Sequence, residues 1–248
     1  VYVSSEIKKI IKTENGLLWI ATLGQGLFIY DPETEVLTQN SIQTSFVWDV
    51  CQSYDKKKVY ASSLQEGLLC FDENGKFLQS YRVSSDVNSP DSYKINCVLD
   101  IEGEVWLGAG NNLLGRLNHE TGIIENYMAP SLNFGAVRSL LKYTENELLV
   151  GTDNGLYLFN RELKTFLRAD NPADPRSLSD QTINGMMWDA EGALWVLTNL
   201  GGINYMSKQT KRFDYYSPAY LSGIPGAGEV VGPFCENTVS YTHLRAHE

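Results

Sequence analysis

Residues with catalytic or metal-binding chemistry are few in this chain of 248 residues. His243 and His247 are four residues apart and precede Glu248, a spacing that places two imidazoles on one helical face, as in some zinc sites. No third ligand is apparent, so we expect no metal site. The remaining histidine, His119, follows Asn118 in a predicted turn, where it should face solvent. Without another imidazole base or a GxSxG motif, the sequence offers little for catalysis.

Three segments resemble ligand-binding loops but are better explained as tight turns. GAGNNLLG at 108–115 approaches a dinucleotide-binding loop, yet a further strand follows where that loop needs a helix. DENG at 72–75 and DIEGE at 100–104 lack the remaining ligands of a twelve-residue calcium loop. No acid stands in an apolar context that would raise its pKa for glycosidase chemistry. We therefore predict neither a cofactor nor a catalytic residue.

Residues suited to binding sugars recur at two sets of positions. Planar amides, arginine and tryptophan match the hydroxyl groups and ring faces of sugars. The starts of five apolar strands carry Lys8, Trp48 with Asp49, Asn96, Arg138 and Asn184. The turns that follow the next strands carry Gln25, Gln65, Asn111, Asp153 and Asn199. These residues are the candidate ligand-binding set; the alternative is that they satisfy loop backbone groups and solvate the rim of the fold.

The strands that position these residues belong to an internal repeat, first seen in NGLLWIATLGQGLFIYDPET at 15–34. A large side chain recurs in the second strand of each copy, at spacings of 41, 46, 43 and 46 residues. These anchors are Trp19, Tyr60, Trp106, Leu149 and Trp195. A period in the forties with four short strands per copy is the signature of a β-propeller. We predict an all-β propeller of four-stranded antiparallel blades, with each anchor packed between neighbouring blades.

The copies define the predicted blade boundaries. Five full blades span about 5–40, 45–82, 93–128, 135–169 and 180–216, and a sixth begins at 228–237. The partial propeller thus covers 1–237. The rest, 238–248, has no anchor, and VSYTHLRAHE is similar to translated sequencing-adaptor sequence, so we expect this segment to be non-native or disordered.

The composition argues against two kinds of partner, nucleic acid and membrane. The net charge is −10, with 30 acidic and 20 basic residues, and no basic cluster suits nucleic acid. No window of 18 apolar residues is long enough to span a membrane. Cys51, Cys70, Cys97 and Cys235 lack CxxC spacing and are expected to be buried free thiols, although a disulfide such as Cys70 with Cys97 stays open.

Two copies of the repeat, ENGLLWIATLGQGLFIYDPET and EGALWVLTNLGGINYMSKQT, resemble the two-component regulator propeller repeat. The linker NPADPRSLSDQTI is similar to the blade connection of that family, and the resemblance covers residues 5 to about 237. It implies part of a seven-bladed propeller in the periplasmic sensor region of a hybrid two-component histidine kinase from Bacteroidetes. Such sensors detect oligosaccharides, act as dimers and switch on genes through kinase, receiver and DNA-binding regions, and they reach the membrane only through downstream parts.

The resemblance therefore implies a non-enzymatic input segment, because kinase and receiver motifs are absent from this sequence. Two other functions are open to a propeller. One is a lyase acting on a cyclic ester or polyuronate, which needs a His or Tyr base and often a metal. The other is a protein-interaction scaffold, which would expose a large apolar patch.

Overall fold

The computed structural model describes residues 2–40, 42, 44–83, 94–127, 132–174, 177–208 and 213–216. These residues form five four-stranded antiparallel sheets, each with its strands in chain order. The sheets are the blades of a β-propeller, so the predicted fold class is confirmed. In this described part of the chain, no helix has the length and hydrophobicity to cross a bilayer.

The chain divides into two compact units, and the first, Val1–Leu132, holds three sheets. The first sheet contains β1 (Glu6–Lys12), β2 (Leu18–Leu23), β3 (Leu27–Asp31) and β4 (Val36–Gln39). The second contains β5 (Val47–Gln52), β6 (Lys58–Ser63), β7 (Leu68–Asp72) and β8 (Phe77–Tyr81). The third contains β9 (Ile95–Ile101), β10 (Glu104–Ala109), β11 (Leu114–Leu117) and β12 (Ile124–Tyr127).

The second unit, Asn133–Glu248, holds two sheets. The fourth sheet contains β13 (Val137–Lys142), β14 (Glu147–Thr152), β15 (Gly155–Asn160) and β16 (Thr165–Arg168). The fifth contains β17 (Ile183–Trp188), β18 (Leu194–Thr198), β19 (Gly202–Met206) and β20 (Phe213–Tyr216). The predicted sixth blade, the tail at 238–248, Cys235, His243 and His247 lie outside the described residues.

The five anchors occupy equivalent places in their sheets. Each sits near the start of its second strand and pairs with one residue of the first strand and one of the third. Trp19, for example, lies between Ile11 and Ile29, and Leu149 lies between Leu141 and Leu158. The side chains of Trp19, Tyr60, Trp106 and Leu149 are buried, whereas Trp195 is half-buried.

Within each unit, anchors pack against the next sheet as predicted. Trp19 shares a buried cluster with Val50, Val59 and Phe71 of the second sheet. Tyr60 packs in the same way with Val98 and Leu107 of the third. In the second unit, Leu149 packs with Ile183 and Val196 of the fifth sheet. A strand covered on one face would alternate, whereas β6 and β7 of the second sheet are nearly continuously apolar because the first sheet covers one of their faces and the third sheet covers the other.

Short turns join the strands, and their residues explain their shape. Gly67 opens β7 with a φ of 82°, a conformation that suits glycine. In the third sheet, Asn111 takes that role with a φ of 57°. After the third strands, Asp31, Asp72, Asn118 and Asn160 accept hydrogen bonds from backbone N–H groups two residues later. The segments DENG and GAGNNLLG are thus blade turns, as predicted.

Three of the four cysteines lie in described strands and are free thiols. Cys70 and Cys97 are buried, and Cys51 is half-buried. Burial raises the pKa of the Cys51 and Cys97 thiols well above the ordinary value. The alternative Cys70–Cys97 disulfide is not formed.

Candidate functional site

A β-bulge interrupts the first strand of every sheet, always near its start. In β5, Val47 pairs with Ser63 and Asp49 pairs with Ser62, so Trp48 has no partner in the register. The same slip recurs in the other four sheets. The residues skipped by the pairing are Lys8, Trp48, Asn96, Arg138 and Asn184. A bulge bends its strand and re-aims one side chain, which is why bulges are common beside binding sites.

In the first unit, two of these bulged residues touch. The Lys8 ammonium nitrogen lies 4.7 Å from the centroid of the Trp48 ring. Both side chains are half-buried, which leaves part of each accessible. The indole N–H of Trp48 is buried and finds no acceptor among the described residues. The pair thus places part of an aromatic surface beside an ammonium group that is also paired with Glu6.

Asp49, next to Trp48, ties the three sheets of the first unit together. Its Oδ1 lies 3.4 Å from Lys9 Nζ, and its Oδ2 accepts a hydrogen bond of 3.0 Å from Val98 N. The charge of Asp49 is the main cause that raises the pKa of Lys9 above its ordinary value. Because both carboxylate oxygens are occupied, we assign Asp49 a positioning role at the site.

In the second unit, the structure brings bulged residues together with turn residues of the same sheet. Arg138 Nε donates to Asp153 Oδ1. Asn184 Nδ2 donates to Asn199 Oδ1 at 3.2 Å. Both pairs lie at one end of their sheets, where the first strand begins and the second ends.

Three turn residues also hold the chain that enters the first strand. Gln25 Oε1 accepts from Ser4 N and Ser5 N, at 2.7 and 3.0 Å. Gln65 Oε1 accepts from Ser45 N at 3.0 Å, and Asp153 Oδ2 accepts from Ala136 N at 2.9 Å. These oxygens therefore satisfy loop backbone, as the alternative interpretation expected. The amide nitrogens of Gln25 and Gln65 donate no hydrogen bond within the described residues.

The remaining candidates, Asn96 and Asn111, both belong to the third sheet. Asn96 is the bulged residue of β9, and Asn111 lies in the turn between β10 and β11. Residues 84–93, which lead into β9, lie outside the described residues.

His119 lies at the other end of the sheets. It is exposed, with its ring centroid 6.5 Å from that of Tyr60. It lines a polar cavity of about 320 Å³ together with Lys58, Asp100 and Tyr81, between the second and third sheets. Across the described ranges, no group of three or more His, Cys, Asp or Glu side chains is placed to hold a metal ion.

Two contributors were missed by the sequence analysis. Lys9 pairs with Asp49, although only its neighbour Lys8 was selected. Asp180 accepts from Gln181 N at 2.7 Å and Leu200 N at 2.9 Å, which joins the entry of β17 to the turn after β18. The available signals in the sequence were the lysine pair inside the first strand and an aspartate three residues before β17.

Comparison with known proteins identifies solved structures with a similar fold. No protein-family model matches the sequence, and a search of curated proteins finds no match. The chain is similar to a structure described as the extracellular domain of the hybrid two-component system BT3049 of B. thetaiotaomicron. That similarity has a TM-score of 0.67 and 23% identity, over 87% of this chain and 29% of the other.

Two structures of a second protein from the same organism are also similar. One is described as the extracellular domain of the hybrid two-component system BT4673, with a TM-score of 0.65 and 24% identity, over 81% of this chain and 27% of the other. The other describes BT4673 as a one-component system. It has a TM-score of 0.67 and 21% identity, over 91% of this chain and 30% of the other. The chain thus spans less than a third of each structure, and the likeness concerns the fold.

Proposed function

We propose that this chain is part of the periplasmic input domain of a hybrid two-component sensor and that it binds an oligosaccharide. The site is the end of the first unit's sheets where their first strands begin, around Lys8 and Trp48. Binding there regulates a kinase located elsewhere in the full protein, and through it transcription. The segment itself acts by binding and not by catalysis, in keeping with neighbours that are described as extracellular domains of such systems.

The recurrent bulge is the observation that carries the proposal. The bulge lies at the same place in all five sheets, so it is a property of the repeat and not of one strand. Here it presents a long or planar polar side chain each time, and in four sheets that side chain is an aromatic ring, an amide or a guanidinium. Bulges of this kind direct side chains out of the ladder and towards a ligand.

The chemistry of the exposed groups favours a sugar. Trp48 supplies a flat apolar face for a pyranose ring, and the free amide hydrogens of Gln25 and Gln65 suit hydroxyl oxygens. The Lys8 ammonium is already paired with the Glu6 carboxylate at 2.7 Å, so neutral sugars should bind at least as well as acidic ones.

Signalling requires that sugar binding be coupled to an equilibrium between two states of the sensor. A ligand shifts an equilibrium between two states of the sensor only if it binds one of them better. We propose that the intact sensor is a dimer and that sugar binding biases the relation between its subunits. We expect no nucleic acid to contact this segment, and we expect the membrane to be reached only through downstream parts of the protein.

Isothermal titration calorimetry with a panel of neutral and acidic oligosaccharides tests the proposal on the complete extracytoplasmic domain. We expect saturable binding of at least one oligosaccharide and a loss of about tenfold or more in affinity, or about 1.4 kcal/mol, for Trp48→Ala. Tyr54→Ala is the matched control, because Tyr54 is an aromatic residue that is 63% exposed at the other end of the same sheet.

Two results would contradict the proposal. One is the absence of binding for every oligosaccharide in the panel. The other is binding that Trp48→Ala and Tyr54→Ala weaken equally, because such a site would not lie at the bulges.

A further inference from the structure

An apolar cavity of about 320 Å³ lies between the fourth and fifth sheets of the second unit. Its apolar walls include Leu149, Leu156, Leu158, Leu194, Met206 and Phe213, and it opens to solvent beside Tyr143 and Leu167. Leu149, Leu156 and Leu194 are buried, and Met206 and Phe213 are half-buried. This cavity is separate from the bulged residues and is not explained by the proposed sugar site.

The register of the sheets shows what fills the same place elsewhere. Leu149 is the anchor of the fourth sheet, equivalent to Trp19 in the first. Met206 pairs with Leu194 and Phe213, as Phe71 of the second sheet pairs with Val59 and Phe77. Met206 is therefore equivalent to Phe71.

Between the first and second sheets, two aromatic rings occupy this position. Trp19 and Phe71 are both 0% exposed and meet edge to face, with ring centroids 5.5 Å apart. Between the fourth and fifth sheets, leucine and methionine replace both rings. The cavity is therefore the space that an indole and a phenyl ring fill in the first unit.

We propose that this cavity binds a neutral small molecule through a single apolar aromatic ring, which takes the place of the missing rings. Apolar cavities of only about 150 Å³ in other proteins stay dry and bind benzene. Met206 adds a thioether, which contacts ring edges favourably, and Phe213 allows an offset or edge-to-face ring pair.

The neutral character of the ligand follows from the only charged group in the cavity wall as described. The Arg168 guanidinium donates to both carboxylate oxygens of Asp170, at 3.1 and 3.0 Å, and lies 5.7 Å from the centroid of the Tyr157 ring. Since its charge is already paired, a carboxylate on the ligand would lose its hydration without gaining a free cation.

Indole and benzoate are the probes, titrated into the chain by calorimetry and followed by the shift in melting temperature. We expect indole to bind saturably and to raise the melting temperature, and benzoate to bind at least about tenfold more weakly. Leu149→Trp fills the cavity from the fourth sheet. It should remain folded, melt at a higher temperature than the wild type and lose at least about tenfold in affinity for indole.

Leu163→Trp is the matched control, because it adds the same ring at a residue that is 72% exposed and outside the cavity. It should bind indole like the wild type. If Leu149→Trp does not fold, Met206→Phe fills the same cavity from the fifth sheet and decides the question. The proposal is overturned if the wild type shows no saturable indole binding, if the folded filled variant binds indole as well as the wild type, or if benzoate binds more tightly than indole.

Discussion

Lys8 and Trp48, the bulged residues of two successive sheets, are in contact through a cation–π interaction, with the ammonium nitrogen 4.7 Å from the ring centroid. Lys8 also forms an ion pair of 2.7 Å with Glu6. The contact holds the indole in one orientation beside an exposed surface. The bulges of β1 and β5 therefore decide together how the Trp48 ring is placed at the proposed site.

Replacing Lys8 by methionine should test the value of this contact. We expect Lys8→Met to lower the free energy of unfolding by about 0.5–2 kcal/mol, because the half-buried cation–π contact is lost together with the ion pair to Glu6. Lys8→Arg should restore most of the loss, since a guanidinium also stacks on tryptophan. Urea denaturation measures both changes. Lys12→Met is the control on the same strand, and an equal loss there would remove the contact as the cause.

The anchors should differ in their contribution to stability according to burial. Trp19→Ala removes a fully buried indole and is expected to cost about 3–5 kcal/mol. Trp195→Ala should cost less, because that side chain is half-buried, even though its Nε1 donates to Asp189 Oδ2 at 2.8 Å. Chemical denaturation of both variants gives the comparison. Equal losses would show that burial does not distinguish the two anchors.

The blades and anchors were predictable because each depends on patterns within one copy of the repeat. Apolar runs separated by glycine turns predict the strands, and the spacing of Trp19, Tyr60 and Trp106 aligns one copy with the next. The third-strand glycines follow from the same logic. Gly67, for instance, directly precedes β7 and adopts a φ of 82°.

The bulges were not predicted, because an extra residue in a strand leaves both the composition and the length of the run unchanged. The structure shows their effect: Val47 and Val50 both pack in the cluster around Trp19 although they are three residues apart, a spacing that does not occur on one face of a regular strand. The link from Asp49 to Lys9 and Val98 was also beyond sequence reasoning, since it joins three sheets and depends on how they pack.

Two glycines with similar backbone angles should respond differently to alanine. Gly16 has a φ of 88° and open space where the Cβ of an alanine would lie, so Gly16→Ala should cost about 1–2 kcal/mol for the left-handed conformation alone. At Gly67 a Cβ would lie 2.2 Å from the carbonyl oxygen of Tyr81, so β8 would also have to move. We expect Gly67→Ala to be clearly the more destabilising in urea denaturation. A loss no larger than that of Gly16→Ala would mean that the close approach is easily relieved.

Glu125 should make the stability of the first unit sensitive to acid. Hydrogen bonds from Arg116, Asn118 and Tyr127, in that order of importance, lower the pKa of Glu125 from 4.5 to about 2. Because the pKa is lower in the folded state than in the unfolded state, the stabilisation is complete above pH 4.5 and is lost as the pH falls towards 2. The effect should be modest, since the Glu125 side chain is 37% exposed and solvent screens the charges.

Glu125→Gln isolates this effect, because glutamine keeps the shape of the side chain but does not titrate. Urea unfolding midpoints measured at pH 6 and pH 3 should fall less for Glu125→Gln than for the wild type. Glu33→Gln, in an exposed turn, is the control and should follow the wild type at both pH values. If the wild type and Glu125→Gln lose the same stability between the two pH values, protonation of Glu125 does not contribute to acid unfolding, and the hydrogen bonds around Arg116 are as strong to a neutral partner as to a carboxylate.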